Sequence, residues 1–110
     1  MVGGFVISGS SPRTVVVRAR GPSLAQYGIS GALANPTLQL VRASDQSVVA
    51  QNDDWTSGAT ASQVQASGFA PSDSRESAVY VTLQPGAYTA VVTGAGGGTG
   101  VGMVEVYAVP

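Results

Sequence analysis

Asn52, Asp53 and Asp54 stand side by side in this 110-residue chain, followed directly by its single tryptophan, Trp55. Three consecutive side chains that carry oxygen suit a hard cation, and Ca²⁺ takes carboxylate and amide oxygens from flexible loops. Asp73 and Glu76 would add ligands if the loop over residues 71–76 folds beside the first. The spacing is not that of the twelve-residue helix–loop–helix site. The competing reading is a turn in which Asn52 and Asp53 bond nearby backbone N–H groups. Trp55 either stacks an exposed ring face on a sugar or caps the core.

Other reactive chemistry is thin. The chain has no histidine and no cysteine, which removes thiolate chemistry, the usual zinc ligands and imidazole acid–base catalysis. Its serines therefore lack a base, and the chain does not read as an enzyme. All five cations are arginine (Arg13, Arg18, Arg20, Arg42 and Arg75), so lysine is absent. Nucleic acid is not an expected partner at a net charge of −1. No apolar run approaches the roughly 18 residues of a membrane-spanning helix, so membrane insertion is not expected. Only 10% of residues are charged, against roughly 25% in an average soluble domain. Little electrostatic repulsion then separates one copy from the next. Glu105 is expected to pair with Arg18 or Arg20, either within one domain or between copies.

The elements that position these residues read as strands. β-branched runs recur over 5–8, 14–19, 37–41, 48–51, 78–83, 87–93 and 101–107, separated by glycine, proline, serine and asparagine. That spacing predicts an all-β fold, an antiparallel, jelly-roll-like β-sandwich with at most one short helix. The helix is expected over 60–67, with Thr60 as N-cap, Gln63 completing a capping box and Gly68 as the stop. Alternation places Val15, Val17, Leu38, Leu40, Val79, Val81, Val91, Val104 and Val106 in the core. The length fits one domain over 1–110, and fits equally one repeat of a longer chain.

Three blocks carry a resemblance: Gly3-Gly4-Phe5-Val6-Ile7 through the run from Val17 to Leu24, the loop from Asn52 to Trp55, and Leu83 to Thr89 through the run from Gly100 to Tyr107. Together they resemble a β-rich repeat domain of large secreted and cell-surface proteins of environmental bacteria. The second half is similar, more loosely, to bacterial pre-peptidase C-terminal domains. Those are jelly-roll-like sandwiches of secreted enzymes, some of which bind calcium or polysaccharide. The resemblance implies a β-sandwich, an extracellular or cell-surface location and no catalytic residue. Tandem members carry one more strand upstream, so Met1 reads as an ordinary strand residue.

The resulting expectation is a structural module that joins copies of itself, or neighbouring repeats, into a fibre, sheath or matrix. Two terminal runs, 2–8 and 101–109, are expected as sheet edges, with Val2, Phe5, Val6, Val101, Val104 and Val106 at the contact. The alternative is a polysaccharide- or calcium-binding module of a larger secreted protein, built on the loop from Asn52 to Trp55.

Overall fold

The computed structural model describes residues 2–98 and 100–109; Met1 lies outside them, and with it the expectation that it is a strand residue. Seven strands form: β1 (Val2–Ile7), β2 (Arg13–Arg20), β3 (Pro36–Arg42), β4 (Ser47–Asn52), β5 (Ser77–Leu83), β6 (Gly86–Gly94) and β7 (Met103–Ala108). One α-helix, α1 (Ala61–Ser67), precedes β5, and a 3₁₀ turn over Pro22–Tyr27 follows β2. The strands make two antiparallel sheets, ordered β1-β6-β3-β4 and β5-β2-β7. The fold is the expected all-β sandwich.

The core lies where the inner faces meet. Val15, Val17 and Ala19 of β2 and Val79 and Leu83 of β5 face Leu38 and Leu40 of β3 and Tyr88, Ala90 and Val92 of β6. Fully burying one such aliphatic side chain contributes about 1.5–3 kcal/mol. Phe5 stacks on Tyr88 with ring centroids 5.7 Å apart, which ties β1 to this core.

Three sequence expectations need correction. Val91 is not a core residue: Tyr88, Ala90 and Val92 point inward, so period-two alternation turns Val91 to the outer face. Val106 stays 37% exposed, because β7 is the last strand of its sheet and has a neighbour on one side only. Thr60 is the N-cap of α1 but makes no side-chain capping bond. Its Oγ1 instead accepts from the backbone N–H of Tyr80 (3.2 Å), while Gln63 accepts from Ser62.

The outer face of the four-stranded sheet follows from the register. One row across it runs Val2, Val91, Gln39, Gln51, and the next runs Gly4, Thr89, Val41, Val48. Shorter rows hold Val6 beside Ala87 and Thr93 beside Thr37, whose hydroxyls lie 2.6 Å apart. The outer face of the other sheet differs, since it carries Arg18 opposite Glu105.

Candidate functional site

The acidic loop is bonded inward. Asn52 closes β4, and its Oδ1 accepts from the backbone N–H of Ala78 on β5 (3.1 Å) while its Nδ2 donates to the Asp54 carbonyl (3.2 Å). The Ser77 hydroxyl lies 2.6 Å from the Pro36 carbonyl and 2.5 Å from that of Asp53. With its amide nitrogen turned toward its two acceptors, Asn35 donates to Asp53 Oδ1 (3.1 Å) and to the Arg75 carbonyl (2.9 Å). Trp55 is half-buried; its backbone N–H donates to the Glu76 carbonyl (3.0 Å), and its indole nitrogen is buried without an acceptor among the described residues.

Asp73 and Glu76 have other work. Both Asp73 oxygens receive Arg75, at 2.9, 3.1 and 3.0 Å from its backbone and guanidinium nitrogens. Those bonds hold the Asp73 carboxyl below the usual carboxylate range. Glu76 is fully buried. The β2–β5 register, Ala19 opposite Ser77, sets it beside the chain as it leaves β2. Its Oε2 accepts from Gly21 N (2.7 Å), Ser23 N (3.0 Å) and Ser23 Oγ (2.6 Å), while Oε1 has no partner among the described residues. Gly21 allows this turn, because a side chain there would collide with the Leu33 carbonyl. The five acidic and amide residues therefore do not converge. Among the described residues, no group of three or more aspartate, glutamate, histidine or cysteine side chains is placed to hold a metal ion.

A second polar cluster covers the three-stranded sheet. Arg18 Nε reaches Glu105 Oε1 at 2.8 Å, and Arg20 lies 3.6 Å from the same oxygen. Tyr107 donates its hydroxyl to Glu105 Oε2 (2.9 Å), and Arg18 also donates to Tyr107 and to the Phe69 carbonyl, both at 3.0 Å. Phe69 stacks on Tyr107 at 4.4 Å. Burial pushes the Glu105 carboxyl up, but the Arg18 and Tyr107 hydrogen bonds and the two guanidinium charges outweigh it and hold it low. The expected Arg–Glu pair thus lies within one domain. Phe69 and Tyr107 were missed; for Tyr107, the alternation that puts it two residues beyond Glu105 on the same face was the available signal.

The four sheet edges are treated unequally. On one side of the sandwich, β4 lies over β5. The β3–β4 ladder there carries a bulge between Leu40 and Val41, and α1 packs on β5. Asn52 and Thr60 side chains accept from the outward N–H groups of Ala78 and Tyr80 on β5. On the other side lie β1 and β7. A side chain at Gly3 would stand 3.9 Å from Val104, which marks how closely these strands approach. The β1 register is unbroken from Val2 to Ile7, and among the described residues no side chain bonds the backbone of β1 or β7. A cleft of about 290 Å³ opens between them, lined by Phe5, Val6, Ile7, Val15, Val106 and Ala108 among others.

The residues expected at a self-contact divide accordingly. Val2 (67% exposed) and Val6 (69%) stand outward on β1, and Val106 lines the cleft. Val101 is exposed just before β7, where it forms a single bridge to Ala32. Phe5 and Val104 point inward against the core.

Comparison with family models, with curated proteins and with solved structures gives no match in any of the three.

Proposed function

We propose that this chain is a structural module that joins copies of itself, or neighbouring repeats, into an extracellular or surface-attached fibre, sheath or matrix. The observation that carries the reading is the unequal treatment of the edges. A bare edge strand is a template for strand addition, and folded domains blunt such edges with bulges, charges, proline or covering elements. Here β4 and β5 are blunted in three different ways. Among the described residues, β1 carries no bulge, charge or proline, and the one charge on β7, Glu105, is turned to the outer face and neutralised by Arg18. The low charge and the absence of lysine work in the same direction. The extracellular setting draws on the resemblance to bacterial surface repeats.

Pairing at these edges has a natural symmetry. One two-fold axis perpendicular to the sheets brings β1 against β1 and β7 against β7 of a second copy, both antiparallel. The cleft between the sheets then closes on itself, with Val106 of each copy at its mouth.

Sedimentation and electron microscopy of the purified chain test the proposal, with Val6→Lys as the control. Val6 is exposed, so the variant keeps its fold while placing an ammonium group on the edge. The expected result is assembly in the parent and monomers in the variant. A strictly monomeric parent at high concentration overturns the reading.

A further inference from the structure

Edge pairing alone cannot build a fibre from this domain. Both bare edges lie on one side of the sandwich, so the pairing described above uses up both and stops at two copies. The assembly reading therefore needs a second contact, and it rests on a different part of the molecule.

We infer that the outer face of the β1-β6-β3-β4 sheet is that contact, stacking on the same face of another copy. None of the residues in its cross-strand rows is ionisable, and β-branched Val and Thr dominate them. Val2, Val6 and Val48 stand at least half exposed there. Asp53, in the loop after β4, borders the face without entering a row. A second copy suits such a surface because two uncharged Val/Thr/Gln rows meet without stranding a charge. The opposite sheet cannot do this as readily, since Arg18, Arg20 and Glu105 occupy its outer face. A glycan is the weaker occupant: the rows contain no aromatic ring on which a sugar could stack.

The areas agree with a two-contact design. Four strands at ~4.8 Å spacing, with roughly seven residues at ~3.4 Å each, give one copy a face of about 450 Å² in projection. One stacked pair would cover about 900 Å², short of the roughly 1,200 Å² at which specific interfaces begin. Two edge-joined copies present a continuous eight-stranded face, and stacking it on another buries about 1,800 Å², a standard stable interface. In register that stack closes at four copies. Staggered by one copy, each edge-joined pair divides the same area of about 1,800 Å² between two others, about 900 Å² apiece, and the stack extends without limit into a two-layered ribbon held by both contacts together.

Gln39→Glu and Thr89→Lys test this on the two central strands, away from the β1 edge. Gln39→Glu is isosteric at an exposed position, so it keeps the fold even if Thr89→Lys does not. Melting temperature is measured for both, and assembly is followed by sedimentation and electron microscopy. The expected result is ribbons of two layers in the parent and edge-joined pairs in both variants. The concentration needed for further assembly should rise at least tenfold, and added salt should partly restore it. Parent ribbons that persist unchanged in folded Gln39→Glu overturn the stacking inference and leave edge assembly standing. A parent that stays monomeric overturns both. If the variants assemble normally but lose retention on insoluble polysaccharide, the face belongs to a glycan and the inference falls.

Discussion

Replacing Glu76 should reveal how much of the fold hangs on one buried carboxylate. Its Oε2 collects the Gly21 N–H, the Ser23 N–H and the Ser23 hydroxyl within 3.0 Å. Hydrogen bonds to an ionised acceptor contribute about 1.5–3 kcal/mol each, neutral ones about 0.5–1.5. Glu76→Gln keeps the shape and one acceptor oxygen, so each of the three bonds weakens by about 1 kcal/mol and the amide nitrogen inherits the position of the unpartnered Oε1. The expected loss is about 2–3 kcal/mol, or roughly 8–12 °C in Tm at about 4 °C per kcal/mol for a chain of this size. Glu76→Ala strands all three donors at about 1–3 kcal/mol apiece. That sum rivals the whole stability of an average domain, so this variant should be largely unfolded. Urea unfolding followed by the fluorescence of Trp55 reads both. Ser23→Ala should cost less in the Glu76→Gln background than in the parent, because the two side chains share one bond. A Glu76→Gln midpoint within about 0.5 kcal/mol of the parent would show that the carboxylate does not hold this turn through its charge.

Gly21→Ala should destabilise by about 3 kcal/mol or more, since the added carbon meets the backbone carbonyl of Leu33, which cannot rotate away; a thermal melt shows it. Acid should weaken the fold through Glu105: its carboxyl is held low in the folded chain, so its contribution is complete above the ordinary glutamate range near ~4.3 and disappears as the pH falls through the depressed value. Asp73, held low by Arg75, and Asp45, held low by Ser47, shift the same way, so Glu105→Gln should flatten the acid limb of a urea-midpoint profile without abolishing it. Val104→Lys, unlike Val6→Lys, should damage the fold itself, because Val104 packs against the core; circular dichroism separates the two.

Local patterning carried most of the element order. Period-two runs around Val15, Leu38 and Val79 mark strands because alternate residues must face the core, and Gly68, in the left-handed conformation with φ 82°, ends α1 where expected. Alternation alone does not say which parity faces in, and on β6 the inward set is fixed by Tyr88, a partner of Phe5. The acidic loop shows the same boundary. Oxygen-rich side chains at Asn52 to Asp54 are visible in one dimension, but the role of Asn52 depends on Ala78, whose N–H points at it from β5. Glu76 looked like a ligand for the same reason, since its three donors come from Gly21 and Ser23. Charge pairing across β2 and β7 was legible because few charges were available to choose from.

The pairing of the terminal strands has a consequence in time. β1, the earliest of the seven strands in sequence, finds its partner in β6, and β7, the latest of them, adds to β2. Each outermost strand of the sandwich sequence is thus held by a strand from the opposite half. Contacts so distant in sequence must close large loops before they return any energy, which slows folding relative to domains built from local hairpins. During synthesis β1 has no place to go until residues beyond 90 emerge, so an apolar, uncharged strand waits unpaired while the elements between it and β6 are made. A neighbouring chain that offers its own β6 in that interval can capture it. Strand exchange between copies would then arise from the order of synthesis, and crowding of nascent chains would decide how often it occurs.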